Sequence, residues 1–128
     1  MPITPVRDLV AAAKAQITSL SPEDAQARVD AGSAVLVDIR DVRELSREGR
    51  IPGAFHAPRG MLEFWVDPAS PYHKPELAEG KTLILFCASA WRSALSAKSL
   101  QDMGVESIAE IDGGFSGWRA AGLPIETD

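Results

Sequence analysis

Two short runs of apolar and β-branched residues stand out along the chain, Ala34-Val35-Leu36-Val37-Asp38-Ile39 and Thr82-Leu83-Ile84-Leu85-Phe86-Cys87. Nearly uninterrupted runs of this length characterise parallel strands covered on both faces, so both predict central strands of one sheet. Ser107-Ile108-Ala109-Glu110-Ile111 and Ala54-Phe55-His56-Ala57 are weaker strand candidates. Helical patterns fill the gaps. One is predicted from Val6 to Gln16 and another from Pro22 to Ala31, with Ser21 as N-cap, Pro22 at the first helical position and Gly32 just past the end. A short third helix is predicted from Asp41 to Glu48. The clearest runs from about Ser93 to Met103, with Ala94, Leu95, Ala97, Leu100 and Met103 on one face and Gly104 as its stop. Strand and helix signals alternate without repeats or Gly/Ser linkers, which predicts a layered βαβ-type domain. From Pro58 to Ala78 the chain carries Pro58, Pro68, Pro71 and Pro75 and three aromatics, and only Met61 to Val66 is helix-like. So long a connection in a small domain is more often a functional lid than filler.

Composition narrows the function. A chain of 128 residues allows one domain, and 45% apolar with 24% charged residues is the make-up of a folded globular chain. Thirteen Lys+Arg against 18 Asp+Glu give a net charge of -5, without the basic footprint that nucleic-acid binding draws on, so no nucleic-acid partner is expected. No apolar run approaches the ~18 residues of a membrane span. The opening Met1-Pro2-Ile3-Thr4-Pro5-Val6-Arg7-Asp8 has no apolar stretch behind a basic start, and a cytoplasmic location is the expectation. His56 and His73 are scattered relative to Cys87 and show no metal-ligand spacing, and neither G-x-G-x-x-G nor G-x-x-x-x-G-K-[ST] occurs. No metal, nucleotide or other cofactor is expected.

The single cysteine, Cys87, has no intramolecular disulfide partner and is either a buried small hydrophobe or a reactive thiol. Its surroundings favour the second reading. Ala88-Ser89-Ala90-Trp91-Arg92 joins the end of a predicted buried strand to a helix starting near Ser93, so loop amides and a helix N-terminus converge on the sulfur, with Arg92 close by. Such a loop favours the thiolate, which is the nucleophilic form.

Cys87-Ala88-Ser89-Ala90-Trp91-Arg92-Ser93 resembles the active loop of single-domain rhodaneses, sulfurtransferases whose common pattern is C-x-x-G-x-R-S. Three further blocks follow that family in order and spacing. Asp38-Ile39-Arg40 with Glu44 is similar to D-V-R-x-x-x-E, and Gly49-Arg50-Ile51-Pro52-Gly53-Ala54 to G-H-I-P-G-A. Gly113-Gly114, Trp118, Gly122 and Pro124 are similar to the closing G-G-x-x-x-W-x-x-x-G-x-P. The resemblance covers about Ser21 to Ile125 and implies a rhodanese-like three-layer α/β/α domain with a parallel sheet of about five strands over residues 21–128, preceded by a helical extension over 1–20. Two positions depart from the pattern. Ala90 stands where the family has Gly, which costs energy if a positive φ is needed there. Arg50 replaces the usual His.

The resemblance implies sulfur transfer: Cys87 takes a sulfane sulfur from a small anion such as thiosulfate, or from a persulfide donor, and passes it to cyanide or to a thiol, which a protein can supply. Ala88 to Ser93 would cradle the anion. Asp38 and Arg40, at the end of a central strand, either brace this loop or form an ordinary Arg40–Glu44 ion pair. Arg59, in the long connection, is the candidate second cation for a doubly charged donor, and Trp65, His73 and Lys74 share its segment. Gly113, Gly114 and Trp118 read as turn and packing residues. Two rivals remain: a cysteine phosphatase or arsenate reductase, disfavoured because C-x5-R is one residue longer than the loop from Cys87 to Arg92, and a non-catalytic rhodanese-like regulatory or protein-interaction module, which often lacks the cysteine.

Overall fold

A computed structural model describes residues 2–127. Its five strands, β1 (Ser19–Leu20), β2 (Ala34–Asp38), β3 (Phe55–His56), β4 (Thr82–Phe86) and β5 (Ile108–Ile111), form one all-parallel sheet in the order β1-β5-β4-β2-β3. The two strongest apolar runs are β2 and β4, paired from Ala34↔Thr82 to Asp38↔Phe86. Side chains alternate between two cores, as a period of two requires. Leu83, Leu85 and Cys87 join Val37, Leu62, Ala97 and Leu100 on one face, and Ile84 and Phe86 join Leu36, Ala25, Phe115 and Trp118 on the other. This is the rhodanese-like α/β architecture that the sequence blocks imply.

Among the described residues six α-helices cover the sheet: α1 (Val6–Lys14), α2 (Pro22–Asp30), α3 (Val42–Glu48), α4 (Leu62–Val66), α5 (Arg92–Met103) and α6 (Gly114–Ala120). The Ser21 side chain accepts from the Asp24 N–H at 3.0 Å, as the N-cap reading requires. Asp41 caps α3 by accepting from the Arg43 N–H at 2.8 Å, while Glu44 reaches back to the Asp41 N–H at 3.2 Å.

Two elements had no sequence expectation. Strand β1 is two residues long and exists through its pairing with β5, Ser19↔Glu110 and Leu20↔Ile111. Helix α6 begins in a glycine pair that reads as a turn. The residues ahead of position 21, expected as a helical extension, hold α1 and β1, and both are built into the same body. Leu20 lies in the core, and Val10 and Ala13 of α1 pack on Ala94 of α5. Among the described residues no helix is long and apolar enough to cross a membrane.

Candidate active site

Cys87 directly follows β4, at the carboxyl ends of the strands where open parallel sheets place their sites. It is buried, and the chain turns through Ala88, Ser89, Ala90 and Trp91 before α5 begins at Arg92. The Ser93 N–H donates to Cys87 Sγ at 3.4 Å, and the thiol faces the Ser93 hydroxyl at 3.6 Å. Ser93 belongs to the first turn of α5, so the helix dipole adds to the attraction of its N–H for negative charge on sulfur. Ala90 has φ of +71° and is wholly buried. The left-handed conformation that the glycine of the family pattern suits is therefore adopted here by alanine, at a cost of about 1–2 kcal/mol.

Arg92 is held by Glu44: its Nη1 and Nη2 donate to the two carboxylate oxygens at 2.8 and 2.9 Å. This forked pair holds Glu44 below the usual carboxylate range. It also holds Arg92 above its ordinary value, with a smaller contribution from the Cys87 sulfur. Glu44 thus links the start of α3 to the start of α5 and fixes the cation near the Cys87 sulfur. Trp91 and Ser89 are exposed at the rim, Ala88 is half-buried and Ser93 is buried.

Asp38 and Arg40 form a buried ion pair of their own. Arg40 Nε and Nη2 donate to Asp38 at 2.9 and 2.7 Å, its N–H donates to Oδ1 at 3.1 Å, and Nη2 also reaches the Gly49 carbonyl at 2.9 Å. The Arg40–Glu44 pair considered from sequence does not form, because Glu44 is committed to Arg92. The guanidinium instead lies 4.2 Å from the centre of the Phe115 ring. Phe115 in turn donates its N–H to the Cys87 carbonyl at 2.8 Å, and Ser116 donates to the Ala88 carbonyl at 3.1 Å. A continuous chain of contacts runs from Asp38 through Arg40 and Phe115 to the main chain of Cys87.

Gly114 lets α6 approach this closely. It has φ of +60°, and a Cβ built there would stand 2.6 Å from the Cys87 carbonyl oxygen and 2.9 Å from that of Ala88. Turn and packing are the roles read from sequence, and the packing is against the cysteine loop itself. Trp118 fills the core beneath, with its indole N–H donating to the Pro124 carbonyl at 2.8 Å. Gly114→Ala should cost about 2–4 kcal/mol of stability and displace the loop, since neither carbonyl can yield without losing its α6 donor. Chemical denaturation checks the first effect and Cys87 alkylation rates the second.

The Pro58–Ala78 connection contains the 3₁₀ turns Arg59–Met61 and Pro75–Leu77 around α4. The Arg59 N–H bonds to the Ile39 carbonyl at 3.1 Å, placing its main chain at the carboxyl end of β2. Its guanidinium donates to Glu63 Oε1 at 2.7 Å, and Glu63 Oε2 accepts from Ser99 Oγ of α5 at 2.7 Å. Trp65 packs edge-on against Phe55, under the ammonium of Lys74. His73 bonds to the Trp65 carbonyl and His56 to the Arg40 carbonyl. The Arg50 main chain exchanges two hydrogen bonds with Glu126.

Sequence reasoning missed Glu110. On β5 it is completely buried, and its carboxylate accepts from Ser93 Oγ at 2.8 Å and from Ser19 Oγ at 2.7 Å, with Lys14 Nζ 3.9 Å away. The available signal was a carboxylate inside a strand of a sheet covered on both faces, where burial demands partners.

Known proteins resemble this chain in sequence and overall fold. A structure from Rhodopseudomonas palustris, RPA3614, described as a protein of unknown function and possible tyrosine phosphatase, is 49% identical, with a TM-score of 0.90, over 98% of this chain and 99% of that one. The thiosulfate sulfurtransferase GlpE of Actinobacillus succinogenes is 32% identical over 110 residues, which are 86% of this chain and 91% of GlpE. An uncharacterized Synechocystis protein, slr1261, is 34% identical over 106 residues; the match takes in 83% of this chain and 54% of that longer protein. The family model of the rhodanese-like domain matches residues 21–121, from the N-cap of α2 to the end of α6, and the chain belongs to the rhodanese-like family.

Proposed function

We propose that this protein is a sulfurtransferase that carries sulfane sulfur on Cys87. The observation that carries the reading is the seat of Sγ: a buried sulfur at a strand end, facing the Ser93 N–H at 3.4 Å, with Arg92 fixed alongside by Glu44. Nucleophilic catalysis by sulfur needs an activated thiolate and donors for the anionic intermediate. The Cys87 thiolate attacks the outer sulfur of thiosulfate, the sulfur–sulfur bond of the donor breaks, and its electron pair leaves with sulfite. The persulfide keeps the charge until cyanide or a thiol takes the terminal sulfur. Ala88 to Ser93 form the cradle in this reading, and the Asp38–Arg40 pair holds it in shape through Phe115.

The relation to GlpE supports thiosulfate as a donor. The purified protein should form thiocyanate from thiosulfate and cyanide, and should leave aryl phosphates intact. Cys87-dependent hydrolysis of an aryl phosphate without any thiocyanate would move the assignment to a phosphatase, in line with the description of the R. palustris relative.

Arg59 is the proposed second cation, and reaching the donor would take its guanidinium from part of its bond to Glu63. Arg59→Ala should lower kcat/KM for thiosulfate by about tenfold, the scale of one charge-assisted hydrogen bond of about 1.5–3 kcal/mol. Unchanged kinetics would leave Arg59 as the tie between its own segment and α4.

A further inference from the structure

The Cys87 sulfur and the Glu110 carboxylate are joined by a single hydroxyl, that of Ser93, and the three side chains are buried. That hydroxyl has one proton. While it donates to Glu110 Oε1 at 2.8 Å, it presents only lone pairs to the sulfur at 3.6 Å, an arrangement that suits a thiol donor and opposes a thiolate. Two anions this close in a buried site repel strongly. The groups around them match this picture. Glu110 faces Ser19 from β1, Ser93 from α5, the apolar Leu85 from β4 at its own register and, from α1, the Lys14 ammonium on the Oε2 side, away from sulfur. The sulfur faces Ser93 and the Arg92 guanidinium, which is already bonded to Glu44.

We propose that Glu110 is a positioning residue that governs the charge on Cys87: the proton leaving the sulfur passes through the Ser93 hydroxyl to Glu110, so that one negative charge moves between carboxylate and sulfur. Both hydrogen bonds reverse in the process. Protonated Glu110 donates to Ser93 Oγ, and Ser93 donates to the sulfur anion. In the resting state the Lys14 ammonium stands 3.9 Å from Glu110 Oε2. Applied to the sulfurtransferase reading, on which this part rests, the first half-reaction consumes thiol, carboxylate and thiosulfate and yields persulfide anion, protonated Glu110 and sulfite. Charge and atoms balance with no proton exchanged with solvent. When cyanide removes the outer sulfur, Glu110 returns the proton to Cys87.

The test is an ultraviolet thiolate titration, in which Cys87 is the sole cysteine and Cys87→Ser supplies the blank. In Glu110→Gln the pH at which half the thiolate band has appeared should fall by about one unit or more, because a like charge is gone and Ser93 is free to donate to sulfur. In a Ser93→Ala background the same substitution should move it by less than half as much. An unchanged or raised midpoint in Glu110→Gln overturns the proposal, as does an undiminished shift without Ser93. A second readout uses the unaltered protein, should Glu110→Gln fail to fold. Loading Cys87 with sulfane sulfur should produce the infrared carbonyl band of a protonated carboxyl, lacking in Cys87→Ser, and a persulfide formed without that band overturns the proposal. The titration needs no sulfur transfer. A shifted midpoint in a protein that never forms persulfide sustains the role of Glu110 and overturns the sulfurtransferase reading, and a persulfide with an unshifted midpoint does the reverse.

Discussion

Cys87→Ser is expected to reduce thiocyanate formation from thiosulfate to the uncatalysed background while leaving the unfolding midpoint close to that of the unaltered protein. The hydroxyl cannot form a persulfide, so the covalent half-reaction is lost altogether rather than slowed. Stability should change little because serine is close to cysteine in size and its hydroxyl meets the Ser93 N–H and hydroxyl, which lie 3.4 and 3.6 Å from the sulfur it replaces. Steady-state assays with thermal unfolding check both halves. Activity retained by Cys87→Ser would remove the sulfur from the chemistry, and a collapse in stability would show that Cys87 is chiefly a packing residue.

Asp38→Ala is expected to lower stability by about 3–5 kcal/mol, the cost of leaving one member of a buried ion pair without the other. Arg40 would lose the carboxylate that both Nε and Nη2 now reach and keep only the Gly49 carbonyl and the faces of Phe115 and Phe86. For a domain of this size the loss corresponds to roughly 10–20 °C in Tm. Replacing both residues, Asp38→Ala with Arg40→Met, should recover a large part of it, because an apolar pair leaves no unpaired charge. Urea unfolding of the single and double variants measures this. If Phe115 transmits the position of Arg40 to the Cys87 carbonyl, the double variant should regain stability without regaining full activity.

Much of this was legible in the residues. The runs at Ala34–Asp38 and Thr82–Phe86 declare themselves because both faces are buried and nothing polar interrupts them until Asp38. Ser21 with Pro22 and Gly104 after Met103 mark helix ends through local chemistry that requires no tertiary context. What escaped is what the distant chain imposes. Ser19–Leu20 is too short to show a period and becomes a strand through Glu110 and Ile111. Gly114–Ala120 carries two glycines among its first four residues, and it is anchored by the carbonyls of Cys87 and Ala88. Within the site, the cysteine loop was readable because its residues are contiguous. The pairings were not: Glu44 reaches Arg92 across 48 positions and Glu110 reaches Ser93 across 17, and local spacing says nothing about either. The positive φ at Ala90 was legible only as a condition, since a sequence shows which residue occupies the turn and not which turn is made.

The central claim is that Cys87 itself carries the transferred sulfur, and the most direct measurement is the intact mass of the purified protein after incubation with thiosulfate and removal of excess reagent. The account predicts an increase equal to one sulfur atom, located on Cys87 by peptide mapping, absent from Cys87→Ser and discharged by cyanide with release of thiocyanate. A protein that turns over thiosulfate with its mass unchanged throughout, or that takes up sulfur at a site other than Cys87, would contradict it.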